Sequence, residues 1–332
     1  MTAPDPTPVI DLIEAFRRSK TMFAAVSLRL FDRLHCRPAT AAALSEELGF
    51  NQSALKRLLD GCVGLGLLRQ SGSEYANTDV AEVYLRHESP RTLAGYILYS
   101  NRALYPMWAN LEDAVREGTN RWHQTFGLEG NLFSHFFRTE EDMRAFLAGM
   151  HGFGLLSSPA VVKAFDLSKF RFLVDLGGAT GHLAQTAKEA YPSLSVALFD
   201  LPPVIEVAKD YVNGIQLIPG DFFQDSLPEA DLFALGRILH DWAEEKIDLL
   251  LRKIYDRLPV GGGLLIAEKL LDDDHSGPVS ALMQSLNMLI CTEGRERSLA
   301  EYTELLKRAG FGQVEGRKTN APLDAILAIK TH

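Results

Sequence analysis

Short apolar runs alternate with amphipathic stretches throughout the second half of the chain. The apolar runs, which predict strands, are 172–176, 195–200, 215–218, 231–236, 262–268 and 325–330. Between them, apolar residues recur at helical spacing, notably over 183–190, 203–211, 243–258 and 299–309. This alternation predicts an α/β fold with a doubly wound, parallel sheet and helices on both of its faces. Ligands of such sheets bind at the carboxyl ends of the strands.

The start of the chain follows a helical pattern after a Pro-rich leader, residues 1–8, which we expect to be disordered. Thr40 is a predicted N-cap, and Gly49 ends the helix that begins there. Asn51 or Ser53 caps the next helix. The pattern therefore predicts several short helices before the first strands.

Three helices followed by a hairpin are typical of a winged-helix domain. The hairpin turn is predicted at Ser71–Gly72–Ser73, since glycine and serine favour tight turns. Such a domain either binds DNA, through the helix after Gly49, or packs as a dimerisation module. That helix carries only Lys56 and Arg57 as cations, and DNA binding needs a basic surface, so dimerisation is favoured.

Residues 79–165 have a mostly helical pattern and many aromatic side chains. Such a density either lines a pocket for a flat ligand or belongs to ordinary core and interface packing. Gly127–Asn131 is a predicted loop within this region. Pro159 is predicted to mark a turn or a helix start before the α/β half.

Composition and charge exclude several classes of protein. The 332 residues are 46% hydrophobic and 23% charged, as in a globular protein with a sizeable core. The net charge of −9 disfavours nucleic acid and an anionic membrane as partners. The 3 cysteines fit a reducing cytoplasm and have neither disulfide nor zinc spacing. We recognise no signal sequence and no apolar run approaching the roughly 20 residues of a membrane span, so we expect a cytoplasmic protein.

The segment F-L-V-D-L-G-G-A-T-G, residues 172–181, predicts a strand, a glycine turn and a helix start. It departs from the dinucleotide pattern G-x-G-x-x-G because Ala179 stands at the second glycine place. Asp175, just before the turn, would repel a pyrophosphate but suits an ammonium or sulfonium ligand. Asp200 ends the next strand, where it can accept hydrogen bonds from ribose hydroxyls. Together the two acids favour a nucleoside ligand over solvated strand ends.

Later strand ends carry further candidates. Gly220-Asp221-Phe222 follows the third strand, where an aspartate can accept the adenine amino group and a phenylalanine can cover the ring. Taken alone, a turn with core aromatics is the simpler interpretation of this segment. His240 ends the fourth strand, over the ligand crevice, as a general base would. Glu268 and Glu296 are two carboxylates that could orient it.

The motifs recur in an order that resembles a known family. D-L-G-G-A-T-G is followed by F-D-L-P, G-D-F-F, R-I-L-H-D-W, G-G-G-L-L-I-A-E and G-R-E-R-S. From about residue 10 to its end, the chain resembles class I S-adenosylmethionine-dependent O-methyltransferases of the caffeic acid and hydroxyindole type. The segment S-L-N-M-L-I-C-T-E-G-R-E-R-S is most similar to the acetylserotonin-methylating branch. The resemblance implies a Rossmann-like, mostly parallel seven-stranded sheet preceded by an α-helical winged-helix dimerisation domain.

The resemblance also implies roles for matching positions. His240 would be the general base, with Glu268 and Glu296 beside it. The cofactor would be S-adenosyl-L-methionine, with S-adenosyl-L-homocysteine as its product and no metal. The positions implied for cofactor binding are Asp175, Gly177, Asp200, Leu201, Gly220, Asp221, Phe222 and Arg237. The positions implied for acceptor binding are Asp241, Asn287 and Cys291.

For the whole chain the resemblance implies three parts. Residues 1–100 would form the winged-helix dimerisation domain, and residues 101–165 a helical connector that contributes to the substrate pocket. Residues 166–332 would form the S-adenosylmethionine-binding catalytic domain. The implied partners are a small aromatic hydroxylated substrate and a second copy of the chain, without nucleic acid or membrane.

Some positions depart from the family pattern. Ala179 replaces a glycine, which is tolerable if its φ stays negative. Cys291 stands where the acetylserotonin enzymes carry a polar amide, and Gly154 where they carry a tryptophan near the cofactor. Cys291 is expected to be a pocket wall or core residue rather than a nucleophile. Asp272–His275 is expected to be a solvated loop rather than a metal site.

Three other functions stay open at this point. They are a winged-helix DNA-binding regulator, a cofactor-binding relative of the hydroxylase or decarboxylase type, and a nicotinamide dehydrogenase. The acidic charge disfavours the first, the base with its two glutamates the second, and the glycine spacing the third. The sequence favours methyl transfer to a phenolic or hydroxyindole hydroxyl of a small aromatic acceptor.

Overall fold

The computed structural model describes residues 3–130, 136–137 and 139–332. The chain divides into two compact units, Met1–Ala103 and Leu104–His332. Each has a hydrophobic core of its own. Asn131, the last residue of the predicted loop, lies outside the described residues.

The first unit combines helices with a small antiparallel sheet. Its helices are α1 (Thr7–Ser27), α2 (Leu30–Arg33), α3 (Ala41–Leu48), α4 (Gln52–Gly64), α5 (Asp79–Tyr84) and α6 (Ala94–Tyr99). Its strands are β1 (Ala39–Thr40), β2 (Leu68–Ser71) and β3 (Glu74–Asn77), in the order β1-β3-β2. The turn between β2 and β3 falls where the sequence predicts the hairpin. The order of helices and hairpin is the one expected of a winged helix.

Local side-chain chemistry sets the ends of these helices. Thr40 and Asn51 each accept a hydrogen bond from a backbone amide three residues later, as N-caps do. Gly49 follows α3 with a φ of 69°, in the left-handed region that glycine adopts readily. Because α1 begins at Thr7, the expectation of a disordered leader is wrong for residues 7–8.

The first half of α1 carries apolar side chains that nothing in the described chain covers. Val9, Ile10, Leu12, Ile13 and Phe16 are each between 51% and 77% exposed. At helical spacing these residues share one side of α1. A contiguous apolar surface of this kind is typical of an interface with another molecule.

The second unit begins with helices. They are α7 (Tyr105–Trp108), α8 (Leu111–Glu117), α9 (Trp122–Phe126) and α10 (Glu140–Lys163), and a π-helical turn, Ser100–Leu104, precedes α7 at the boundary between the two units. Thr139 caps α10 by accepting a hydrogen bond from the Asp142 amide. α10 continues through Pro159, so the prediction of a turn or a helix start there is wrong. Residues 157–158 and 161–162 are buried, and their packing outweighs the hydrogen bond that proline cannot donate.

α10 also has the length and hydropathy that a membrane span requires. The expectation that no apolar run approaches this length is therefore wrong. The most apolar window of α10 is 44% buried within the chain. A core helix passes the same test of length and composition, so these two properties alone are weak evidence of a span.

One sheet organises the rest of the second unit. Its strands are β4 (Phe172–Leu176), β5 (Ser195–Asp200), β6 (Gln216–Pro219), β7 (Leu232–Gly236), β8 (Gly263–Glu268), β9 (Gln313–Arg317) and β10 (Asp324–Ile329). In the described chain these seven lie in the order β6-β5-β4-β7-β8-β10-β9. The first five are parallel, and β10 is antiparallel to both of its neighbours. The mostly parallel, Rossmann-like sheet is confirmed.

Helices alternate with these strands as expected. They are α11 (His182–Ala190), α12 (Pro202–Ala208), α13 (Glu244–Arg257), α14 (Val279–Cys291) and α15 (Leu299–Ala309). The periodicity predicts neither α14 nor β9. From β4 the chain adds β5 and β6 on one side, then returns to add β7 and β8 on the other. The crevice between the carboxyl ends of β4 and β7 is therefore the expected ligand site.

Candidate active site

The turn after β4 packs so closely against neighbouring side chains that Gly177 has no room for a side chain of its own. Gly177 has a φ of 67°, and a side chain there would meet Ile238 at 2.7 Å and Phe222 at 3.1 Å. Ala179 also has a positive φ, 55°, so the condition for an unstrained alanine at this position, a negative φ, is not met. The left-handed conformation costs an L-residue about 1–2 kcal/mol. The Ala179 amide donates to the Asp200 carboxylate at 2.8 Å, and this contact helps to hold the strained residue.

Asp175 is fully buried at the end of β4. Its Oδ2 accepts a hydrogen bond from the Ala184 amide at 3.2 Å, while Oδ1 has no partner in the described chain. Burial raises the pKa of Asp175 to about 7, with a further contribution from the charge of Asp200. A buried carboxylate with an unsatisfied oxygen fits a cationic group, such as the ammonium of the implied cofactor.

Asp200 ends β5 within reach of the same turn. Its carboxylate accepts hydrogen bonds from the amides of Ala179 and Leu201, at 2.8 and 2.7 Å. Burial raises the pKa of Asp200 to about 7. The Asp200 carbonyl accepts from the amide of Gly220, where a side chain would meet Phe199 at 2.5 Å. The remaining lone pairs of the carboxylate are available to ribose hydroxyls.

The turn after β6 lies at the same edge of the sheet. The Asp221 carboxylate accepts from the Phe223 amide, and the Asp221 amide donates to Asp225, both at 2.8 Å. Phe222 is half-buried, and its ring lies close to Gly177. The positions implied for the adenine are thus next to the glycine turn.

Arg237 follows β7 with a φ of 58°. Its amide donates to the carbonyl of Ala267 at 3.0 Å. Its guanidinium carbon lies 4.8 Å from the centre of the Phe153 ring. Strained backbone of this kind clusters at functional sites, and Arg237 directly follows β7, one of the two strands that border the expected ligand crevice.

A buried histidine and two buried glutamates form the centre of the site. His240 lies in the 3-10 turn Leu239–Asp241 that follows β7. Its Nδ1 is 2.6 Å from Oε1 of Glu296 and 3.4 Å from Oε2 of Glu268. The three side chains are at most 3% exposed. The fold therefore brings together side chains from the ends of β7 and β8 and from the segment before α15.

The carboxylates determine the basicity of His240. Burial opposes the charged imidazolium, but Glu268, Glu296 and Asp241 outweigh this effect and raise the pKa of His240 to about 9. Burial raises the pKa of Glu268 to about 7, against the opposing charge of His240. The second ring nitrogen, Nε2, lies 3.6 Å from Oδ1 of Asp241. With Nδ1 held by carboxylates, Nε2 is the nitrogen that can exchange a proton with a ligand.

Backbone contacts fix the turn that carries His240. Oε1 of Glu268 accepts hydrogen bonds from three consecutive amides, residues 238–240, at 3.0, 3.0 and 3.4 Å. Gly294 packs against the turn, and a side chain there would lie 2.3 Å from the His240 carbonyl oxygen. The position of the imidazole is thus set by its backbone as well as by its carboxylate partners.

The same three side chains are spaced as metal ligands could be. One ligand atom from each of His240, Glu268 and Glu296 lies within 4.8 Å of the others. The 2.6 Å contact between Nδ1 and Glu296 is a hydrogen-bond length, which explains the arrangement without an ion. The predicted solvated loop, Asp272–His275, is largely exposed and contributes to no such cluster in the described chain.

The residues implied for the acceptor lie next to His240 and on α14. Asn287 and Cys291 are buried one helical turn apart, and the Asn287 amide nitrogen is 3.6 Å from the Cys291 sulfur. Trp108 donates to Oδ1 of Asn287 at 3.0 Å, and Trp122 donates to the Cys291 carbonyl at 2.9 Å. Burial raises the pKa of the Cys291 thiol, which does not favour a nucleophilic thiolate. The aromatic density of the sequence thus includes two residues that contact α14, although the sequence alone does not single them out.

Some residues at the glycine turn are missing from the predicted site. Nδ1 of His182, the first residue of α11, is 2.8 Å from the hydroxyl of Ser158 on α10. Nδ1 of His151 is 2.9 Å from the hydroxyl of Thr180. The sequence signal for this arrangement is the histidine that directly follows D-L-G-G-A-T-G, together with a second histidine and small residues in α10.

Known proteins share both the sequence and the domain arrangement. The O-methyltransferase dimerisation domain matches residues 10–87, and the O-methyltransferase domain matches residues 108–312. Acetylserotonin O-methyltransferase of Gallus gallus is 42% identical, over 98% of this chain and 97% of its own. The Homo sapiens enzyme of the same name is 40% identical over 96% of both chains.

Solved structures share the fold. The crystal structure of human N-acetylserotonin methyltransferase in complex with SAM has a TM-score of 0.95 and 38% identity, with full coverage of both chains. PigF with SAH has a TM-score of 0.89 and 29% identity, covering 98% of this chain and 100% of that one. With both domains matched and relatives of 40–42% identity along nearly its whole length, the chain belongs to the O-methyltransferase family.

Proposed function

We propose that this S-adenosylmethionine-dependent O-methyltransferase methylates a phenolic or hydroxyindole hydroxyl of a small aromatic acceptor, with His240 as the general base. The observation that carries the proposal is the buried His240, with Nδ1 2.6 Å from Glu296 and Nε2 on the opposite side of the ring. The product of the cofactor is S-adenosylhomocysteine.

The residues around the glycine turn fit the cofactor. The unsatisfied Oδ1 of Asp175 suits its ammonium group, and Gly177 lets Ile238 and Phe222 pack directly against the turn beside it. Asp200 would hold the ribose, with Leu201 and Gly220 beside it. Asp221 and Phe222 would frame the adenine, and Arg237 would contact the amino-acid end. When bound, S-adenosylmethionine supplies a methyl group on a sulfonium, which needs no metal to activate it.

His240 activates the acceptor. A phenolic hydroxyl has a pKa of about 10 and is a weak nucleophile at neutral pH. Nε2 of His240 would take the hydroxyl proton as the acceptor oxygen bonds to the methyl carbon, while the bond from that carbon to the cofactor sulfur breaks and leaves its electron pair on the sulfur of S-adenosylhomocysteine. Glu296 and Glu268 hold Nδ1, fix the ring and stabilise the imidazolium that results. Asp241, Asn287 and Cys291 would position the acceptor beside the cofactor, and this positioning would supply much of the remaining rate acceleration.

The acceptor class follows from the relatives and from α14. The relatives described above are named for acetylserotonin, which is a hydroxyindole. Oδ1 of Asn287 accepts from Trp108, and the Asn287 amide nitrogen donates to the Cys291 sulfur at 3.6 Å, which leaves its second amide hydrogen for a ligand. Cys291 offers only a weak donor and acceptor where the acetylserotonin enzymes carry an amide. We therefore propose an aromatic hydroxylated acceptor whose side chain differs from that of acetylserotonin.

At the level of the whole chain we propose a cytoplasmic homodimer. Residues 1–100 would be the dimerisation domain, 101–165 the connector that contributes to the acceptor pocket, and 166–332 the catalytic domain. The match of residues 10–87 to a dimerisation domain and the exposed apolar side of α1 support this arrangement. Neither nucleic acid nor a membrane surface is expected to be a partner of a chain with a net charge of −9.

Replacement of His240 tests the base. His240→Ala is expected to keep its affinity for S-adenosylhomocysteine and to lose methyl transfer by at least about 100-fold, since that is the usual contribution of a positioned base. A screen of hydroxyindoles, flavonoids and hydroxylated polyketides with labelled cofactor identifies the acceptor for this assay. His275→Ala, on an exposed loop, is the control and is expected to keep full activity. Turnover of His240→Ala at the wild-type rate would exclude this base.

Two alternatives give different results. A winged-helix regulator would retain genomic DNA fragments on a filter at physiological salt, which we do not expect of an acidic chain. A relative of the hydroxylase or decarboxylase type would bind the cofactor but methylate none of the acceptors. The family match and the two carboxylates on His240 favour neither alternative.

A further inference from the structure

A glycine in α10 and a histidine in α11 fit each other closely. Gly154 is buried in the middle of α10, where glycine costs roughly 1 kcal/mol relative to alanine. A side chain there would lie 2.4 Å from three atoms of the His182 imidazole. Gly154 thereby provides the space that the ring of His182 occupies. We call this arrangement, with Ser158, the histidine notch.

The notch fixes one edge of the imidazole and leaves the other available. Nδ1 of His182 is 2.8 Å from the hydroxyl of Ser158, which is 2% exposed. Nε2 makes no hydrogen bond within the described part of the chain, and the residue is not completely buried. Burial and the charges of His151 and Arg237 lower the pKa of His182 to about 3, so the ring is neutral at physiological pH. A neutral ring whose Nδ1 accepts from Ser158 presents an N–H at Nε2.

The sheet order indicates which part of the cofactor lies near the notch. The proposed adenine and ribose contacts follow β6 and β5, and the glycine turn with Asp175 follows β4. The next strand in this order is β7, which Arg237 directly follows. The amino-acid end of the cofactor therefore falls between β4 and β7, and His182 begins the helix that follows β4. The buried Oδ1 of Asp175, which lacks a partner in the described chain, independently points to an ammonium group here.

We propose that His182, held by Ser158 in the space left by Gly154, donates a hydrogen bond from Nε2 to the carboxylate of the cofactor's amino-acid part. Arg237 supplies the positive charge on the β7 side of the same carboxylate. This inference rests on the proposed function, because it concerns the orientation of the cofactor in that site. His182 thus binds the amino-acid part of the cofactor and makes no contact with its nucleoside part.

Two ligands separate this role from a general structural one. S-adenosylhomocysteine carries the amino-acid part, and 5′-methylthioadenosine does not. In calorimetric titrations, His182→Ala is expected to weaken S-adenosylhomocysteine about tenfold or more, the loss typical of one hydrogen bond to a charged group. Binding of 5′-methylthioadenosine is expected to stay within about twofold. His182→Gln keeps a donor and is expected to restore part of the affinity for S-adenosylhomocysteine.

Gly154→Ala tests the notch itself. The added methyl group displaces the ring, so this variant is expected to show the same selective loss as His182→Ala. In the double variant the two losses should not add, because the methyl group has no ring left to displace. Glu304→Gln, an exposed change on α15, is the control and should bind both ligands as the wild type does.

Each outcome decides the inference. Equal weakening of both ligands by His182→Ala, or no weakening of either, would overturn it. If His182→Ala does not fold, the selective loss in Gly154→Ala and His182→Gln decides instead. A wild-type protein that binds neither ligand would overturn the proposed function, and the role of His182 with it.

Discussion

His240 must be neutral to accept a proton, yet its surroundings favour the charged form. Three carboxylates raise the pKa of His240 to about 9, so most of the enzyme carries an imidazolium at neutral pH. Once deprotonated, an imidazole with a raised pKa accepts a proton more strongly than one with an ordinary pKa. At neutral pH, His240 is therefore a strong base in the small fraction of enzyme molecules in which it is deprotonated. Activity should consequently rise with pH until His240 is deprotonated.

Glu296→Gln is expected to shift this pH dependence downwards. The amide keeps the shape of the carboxylate but removes one of the charges that stabilise the imidazolium. The wild-type kcat/KM should rise about tenfold per pH unit up to about pH 9. In Glu296→Gln the midpoint should fall by at least about one unit, with a lower limiting rate because the imidazolium loses a partner. Rate profiles between pH 6 and pH 10 measure both quantities.

The matched control is Glu304→Gln, which removes a carboxylate from an exposed position on α15. Its profile should follow that of the wild type. An unshifted midpoint in Glu296→Gln would mean that a group other than His240 controls the rate.

Sequence reasoning at this scale succeeds where chemistry depends on position along a strand. Asp175 and Asp200 lie at the carboxyl ends of strands and His240 lies in the turn just after one, and parallel strands bring these ends to one edge. It fails where the backbone conformation depends on neighbours. The positive φ of Ala179 depends on contacts such as its hydrogen bond to Asp200, which the local sequence does not contain. The fit of His182 to Gly154 joins residues 28 positions apart and has no local pattern.

Among the elements, α15 shows how a helix start is joined to the site. Ser298 accepts a hydrogen bond from the Glu301 amide at 3.3 Å, and the Glu301 carboxylate accepts from the Ser298 amide at 2.8 Å. This capping box begins two residues after Glu296. The cap therefore helps to anchor the segment that supplies the carboxylate on Nδ1 of His240.

Ser298→Ala is expected to lower the free energy of unfolding by about 1 kcal/mol, the usual effect of removing an N-cap side chain. Chemical denaturation measures this change. Thr303→Ala removes a hydroxyl from the same helix, where it donates to the Leu299 carbonyl, and should change stability by less than about 0.5 kcal/mol. Equal stability of Ser298→Ala and the wild type would show that the capping box contributes little.

The periodicity predicts β4, β5 and β8 well because these strands are largely buried on both faces and form continuous apolar runs. β9 lies at the sheet edge and alternates exposed with half-buried residues, so it gives no such run. The prediction at Pro159 is wrong for a different reason. Its local preference for ending a helix is overcome by tertiary packing on both sides of α10.

For the whole molecule, the exposed apolar side of α1 is the feature that a single chain leaves unexplained. Five large side chains that are more than half exposed would be costly in water and favour association. The two units each have a core, so this surface is not required for either of them to fold. A second copy of the chain is the proposed occupant.

Leu12→Asp combined with Phe16→Asp is expected to convert the dimer into a monomer. Two carboxylates on the apolar side would be buried without partners in the interface, which costs several kcal/mol. Light scattering should give twice the mass of one chain for the wild type and one chain for the variant. Arg18→Asp, which helical spacing places on the opposite side of α1, should remain dimeric. A monomeric wild type would contradict the proposed assembly.

Gly294 touches no ligand in the proposed mechanism, yet it limits which sequences can carry this activity. Any side chain there would overlap the carbonyl of His240 and displace the turn that presents the imidazole. In a library covering every substitution, position 294 should therefore accept glycine alone when clones are selected for methyl transfer. Exposed positions a few residues away, such as Glu293, should vary freely. If every substitution of Gly294 abolishes methyl transfer, the turn that carries His240 is identified as the position of the base, although His240 itself is unchanged.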